Sequence, residues 1–309
     1  MTRWIAVGIG MVTTAAVVAA AAAENRPELV RRLMTLTRAS SWTPVRSIPL
    51  AFRVRHPQGM VRIGEHFYIS SVEIRRPTRR YPSPVDGMDR DAGEGTGHLF
   101  RTDGEGRLLA DVTLGEGSLY HPGGIDYDGT HIWVPVAEYR PDSRSIVYRV
   151  DPRTLEVTEV FRFADHLGAL AVDTEHQTLH AVSWGSRRFY TWTLDAGGRV
   201  TDAQPRRTLN PAHYVDYQDC AYAGGGMMLC TGIGELRGAP GMPSFRLGGM
   251  ELVNLADGRP VHQVPVARWT TDGLPMTRNA VWFEVAGDGL RAYFLPEDDT
   301  ASVHVFDVK

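Results

Sequence analysis

Three histidines open closely related stretches of this chain: His56 begins HPQGMVRIGEHFYISSVEI, His121 begins HPGGIDYDGTHIWVPVAEY and His166 begins HLGALAVDTEHQTLHAVSW. In the first two a glutamate follows 17 positions on, Glu73 and Glu138, and looser copies begin at Gln218 and Thr277. Imidazoles that converge on one point are ordinary ligands for zinc, manganese or iron, and the side-chain oxygen of Gln218 extends such a set. Carboxylates close by orient a ligating ring or move a proton. The sequence therefore predicts a divalent metal on His56, His121, His166 and Gln218, with Glu73, Glu138 and Asp298 handling protons and Arg278 neutralising negative charge. Gln58, Arg75, Arg76, Arg140, Trp184 and Asn279 are expected to contact the substrate. The plainer alternative is that duplication copies histidines that only hydrogen-bond a neighbouring repeat.

Side chains so far apart in sequence meet only if a repeated element carries them. Each stretch reads as an apolar run, a turn rich in Gly or Asp, and a second apolar run, which is a hairpin repeated five times. Four of the hairpins are followed by an alternating strand, a turn and another alternating strand, as in SIVYRVDPRTLEVTEVFRF. Four antiparallel strands per unit define the blade of an all-β propeller. The last unit, ending in SVHVFDVK, is one strand short, and an orphan strand at residues 43–54 is available to complete it. The expectation is five blades in a ring closed by the N-terminal strand, with six blades as the alternative. The first residue of each phrase and the end of each second strand should then face one axial pocket. His66 and His131 follow turns on the opposite face, and His180 is expected to pack.

These inner strands resemble those of the five-bladed propeller superfamily over nearly the whole mature chain, and the chain resembles a family of secreted bacterial proteins of unknown function. That resemblance implies a fold and no activity. A weaker similarity links HPQGM to the FTQGL of secreted glutamine cyclotransferases, which implies a glutaminyl cyclase-like enzyme as one alternative. The later blades lack the aromatic and acidic motifs expected of those enzymes.

Residues 1–23 have one basic side chain, an Ala- and Val-rich run and small residues before Glu24, the pattern of a signal peptide. Residues 24–42 space leucines as an amphipathic helix does, and 43–309 form the propeller. The predicted location is secreted or on the cell-envelope exterior, with no membrane span after cleavage and a monomeric state. In that oxidising setting Cys220 and Cys230, placed evenly about a Gly-Gly-Gly turn, are candidates for a disulfide. Net charge is -3, so no basic field recruits nucleic acid. Walker, Rossmann, Gly-x-Ser-x-Gly and zincin motifs are missing, and no organic cofactor is implied. Arginines on the loops around the expected pocket would attract an anion, and Tyr81, Tyr139, Tyr217 and Trp184 could stack on a sugar. The function expected is a metal-dependent hydrolase or lyase acting on a small or glycan anion, such as a uronate-containing saccharide or a phosphate ester. A non-catalytic propeller that binds a glycan or partner is the other alternative.

Overall fold

The computed structural model describes residues 26–212 and 214–309, so the expected signal segment lies outside the described residues. Five antiparallel sheets form the blades of a propeller. Their innermost strands are His56–Ile63, Leu119–Pro122 with Asp126–Tyr127, Leu167–Asp173, Asp216–Gly224 and Ala280–Ala286. Blade five takes its outer strand from the start of the chain: Trp42–Pro49 pairs antiparallel with Ser302–Val308. This strand ends at Pro49, short of the expected residue 54. Beyond it the backbone bonds loops of blade five, Leu50 N–H to Ala301 and Val54 N–H to Asp299.

The repeated small residue three positions into each phrase exists because the inner strands crowd the hub. Gly59, Gly124, Ala169, Ala221 and Ala280 occupy that position. A Cβ on Gly59 would lie 2.6 Å from the amide nitrogen of Ile125 and 2.7 Å from the Cα of Gly124. Two buried carboxylates tie the hub together. Asp219 of blade four accepts N–H bonds from Met60 and Val281, in blades one and five. Asp126 of blade two accepts from Val172 and Tyr222, in blades three and four. Each carboxylate thus satisfies amides that a closed ring would otherwise leave without partners.

Among the described residues of the expected 24–42 segment, α-helix covers 26–33. Leu33 and Leu36 are buried with Trp42, Phe283, Phe294 and Phe306. Arg26 bonds the carbonyl of Tyr127, and Arg32 those of Gly287 and Gly289, at the hairpin turns. The helix therefore covers the end of the hub away from the histidines. Cys220 and Cys230 face each other across their hairpin and form a disulfide.

Candidate functional site

His56, His121 and His166 stand in a row on successive blades, with ring centroids 6.4 Å and 6.2 Å apart. They line an axial cavity of about 180 Å³ with Gln58, Gln218, Tyr139 and Trp184. His56 and Tyr139 also border an outer groove that holds Arg53, Arg55, Glu73, Arg75 and Asp298. Strand pairing explains the row. His56 opens its strand opposite Val72, and His121 lies opposite Ala137, so both project from equivalent places in equivalent hairpins.

Hydrogen bonds fix two of the rings. His56 Nδ1 lies 2.7 Å from Asp298 Oδ1, and that carboxylate is also held by Arg278 at 2.7 Å and by the Asn279 amide. Burial works to raise the Asp298 carboxyl, but the hydrogen bonds from His56 and Arg278 prevail and hold it well below its ordinary value. His166 donates Nδ1–H to the carbonyl of Glu138 at 2.9 Å. Each ring then keeps Nε2 as an acceptor, the tautomer that a metal or a proton transfer requires. His121 differs: it is 5% exposed, stacks on Tyr139 at 4.2 Å, and neither of its nitrogens has a hydrogen-bond partner. Desolvation, with His166 and His56 nearby, keeps His121 neutral, and burial lowers His166 to about 4.

Among the described residues no three His, Cys, Asp or Glu side chains are placed to hold a metal ion. Two imidazoles bound to one tetrahedral ion at about 2.0–2.1 Å have centroids roughly 5 Å apart. The observed spacings of 6.4 Å and 6.2 Å exceed this, so the rings would have to close in before sharing an ion.

The two glutamates of the repeated phrase do not line the axial cavity. In an antiparallel pair, directly opposed residues share a face and the next residue points away. Val72 and Ala137 oppose the histidines, so Glu73 and Glu138 turn to the other face. Glu73 pairs with Arg55 at 3.0 Å in the outer groove. Glu138 is fully buried between Arg140 and Arg144, both at 2.6 Å, with Ser118 donating a third bond. Arg75 bonds the Gly95 carbonyl, and Arg76 pairs with Asp91 and Glu94. Arg278 and Asn279 reach Asp298, while Thr277 is buried, bonding Gly232 and Gly249. Gln58, Gln218 and Trp184 do line the cavity. Two lining residues escaped the sequence reading: Asp216, two positions before Gln218, and Ser183, at the end of the second strand of blade three. Their signal was closeness in sequence to Gln218 and Trp184.

A five-bladed propeller with a histidine-lined axial cavity is the class of protein these features define. Residues 14–309 match the family described as "Family of unknown function (DUF6454)", and the chain belongs to that family. No curated protein matches it. Among solved structures, a luciferin-regenerating enzyme is 11% identical with a TM-score of 0.48, covering 88% of this chain and 95% of that one. A PQQ-bound aldose sugar dehydrogenase from Streptomyces coelicolor is 14% identical with a TM-score of 0.38, covering 88% and 99%. The tail fibre of Staphylococcus aureus phage P68 is 9% identical with a TM-score of 0.48, covering 91% and 55%. At these values they assign no role to any residue here.

Proposed function

We propose that this chain is an exported propeller enzyme whose axial cavity performs acid–base chemistry on a small polar substrate. His56 is the group that takes and returns the proton. The observation that carries this reading is the 2.7 Å contact between His56 Nδ1 and Asp298, with Asp298 itself fixed by Arg278 and Asn279. A carboxylate in that position holds the imidazole tautomer and stabilises the imidazolium as it forms. Asp298 and Arg278 act through His56, a narrower role than direct contact with substrate. Export is supported by the signal-like residues 1–23 and by the disulfide. Hydrolysis and elimination both fit a single well-placed base.

The hydrogen bonds at His56 and His166 favour a second reading, in which His56, His121 and His166 would hold a divalent metal that would polarise a substrate oxygen. An anionic substrate is then held chiefly by that ion, because two of the three groove arginines are already paired, Arg53 with Asp299 and Arg55 with Glu73, and Arg75 bonds the Gly95 carbonyl.

The test is to incubate purified protein with a library of small polar metabolites and follow conversion by mass spectrometry, alongside His56→Ala and Asp298→Asn. Conversion by the wild type should fall about 100-fold or more in His56→Ala, from the lower end of the usual range for loss of a general base upward. Equal conversion by both would sink the reading. Elemental analysis of the same samples decides the metal: a stoichiometric ion lost in His121→Ala would establish the second reading.

A further inference from the structure

The axial cavity has an unusual balance of charge. Among the described residues, no Arg or Lys side chain lines it. Its acceptors are Nε2 of His56 and His166 and the carboxylate of Asp216, while Gln58, Gln218 and Ser183 add groups that both donate and accept. Glu73, Glu138 and Asp298 are each tied to an arginine, whereas among the described residues the Asp216 carboxylate has one hydrogen bond, from Ser186 at 3.3 Å. Arg187 lies near enough to act on Asp216. Asp216 is open to the cavity. A hydroxyl or ammonium group beside it would give that carboxylate a charge-assisted hydrogen bond, whereas an anion would be repelled.

Size and walls narrow the class of ligand. The cavity, about 180 Å³, is smaller than the roughly 300–1,000 Å³ of pockets for drug-sized ligands. Tyr139 and Trp184 present aromatic rings, with centroids 5.7 Å apart, to whatever lies between blades two and three. Aromatic rings pack against the C–H face of a sugar and attract an amine cation.

We propose that the axial cavity takes a hydroxyl-rich molecule the size of one sugar ring, uncharged or bearing an amine, and that Asp216 receives its donor groups. This rests on the reading of the axial cavity as the active centre, and it departs from the anion that the rim arginines suggested. Nε2 of His56 and of His166 accepts hydrogen bonds from hydroxyls along one side of the ligand, and Asp216 anchors the other.

Three probes of one shape test it: glucose, glucosamine and glucuronate, titrated by calorimetry into the wild-type protein, Asp216→Asn and Asp216→Glu. Glucose and glucosamine should bind, with glucosamine the tighter and glucuronate weaker than glucose by about tenfold, the effect of roughly 1.4 kcal/mol. Asp216→Asn should weaken glucosamine about tenfold and leave glucose within about twofold, and Asp216→Glu should restore part of the preference. Glucuronate binding as tightly as glucose, an absence of binding by all three sugars, or a probe order unchanged in Asp216→Asn would each overturn the proposal. The proposal and the enzyme reading fail separately. Sugar binding without His56-dependent conversion removes the enzyme and keeps the ligand class; His56-dependent conversion of anions alone does the reverse.

Discussion

At the scale of single residues, the buried histidines make the fold sensitive to acid in a way that can be isolated. Burial lowers His166 from 6.5 to about 4, so the unfolded chain takes up that proton first as pH falls. Its contribution is fully present above pH 6.5 and is lost between there and about 4, at most about 3 kcal/mol. Asp126 works in the opposite direction, because burial raises it to about 6 and its contribution grows as pH falls through that value. The net pH profile mixes these effects, but a comparison of variants separates one from the rest. His166→Gln should be less stable than the wild type at pH 7.5, and the gap should shrink by about 2–3 kcal/mol at pH 4.5. Chemical denaturation at the two pH values checks this, and an unchanged gap would mean that the ring is not held neutral by burial. Sequence reasoning placed His56, His121 and His166 at one site because a repeated first letter in a repeated hairpin occupies a repeated position. It misplaced Glu73 and Glu138 because a 17-residue spacing puts them one residue beyond the partners of His56 and His121, on the far face of the sheet.

At the scale of strands and turns, the phrase carries two kinds of constraint, of which one is visible in the letters. The small residue three positions in was legible as a pattern, and its cause is the approach of neighbouring inner strands. Gly59→Ala should therefore cost about 1–3 kcal/mol in denaturant unfolding, since the new methyl group meets backbone rather than a movable side chain. A change below about 0.5 kcal/mol would show that the hub can expand. The Asp126 and Asp219 clamps were not legible, because burial against amides of distant blades leaves no local signature. The disulfide was suggested by the even spacing of Cys220 and Cys230 about a tight turn, and those residues are directly paired in the hairpin. Replacing both cysteines with alanine should lower stability by about 2–3 kcal/mol, the entropy of so short a loop. Loss of under 0.5 kcal/mol would mean that the Gly-Gly-Gly hairpin is fully specified without it.

At the scale of the whole molecule, function depends on a ring that closes and on a hub open at one end. The helix at residues 26–33 and the strand Trp42–Pro49 are consecutive in the chain, and they do both jobs: one covers the turn end of the hub, the other seals blade five. Closure is reinforced where the residue before the closing strand meets Lys309, Ser41 and Lys309 exchanging both backbone hydrogen bonds. Without the strand, Ser302–Val308 would present a free edge, a row of amides and carbonyls that pairs readily with another chain. Trp42 and Ile48 would also leave the apolar clusters in which they are buried. A chain beginning at Leu50 should therefore form oligomers or aggregates under conditions where a chain beginning at residue 26 stays dispersed, as light scattering would reveal. Adding the missing segment, residues 26–49, as a separate peptide should restore dispersion in part, because the edge it covers is specific in register from Trp42 opposite Val308 to Pro49 opposite Ser302. A truncated chain that stays dispersed, with unchanged circular dichroism and melting, would show that four complete blades hold the fifth without a closing strand. The axial cavity would then owe its shape to the inner hairpins alone.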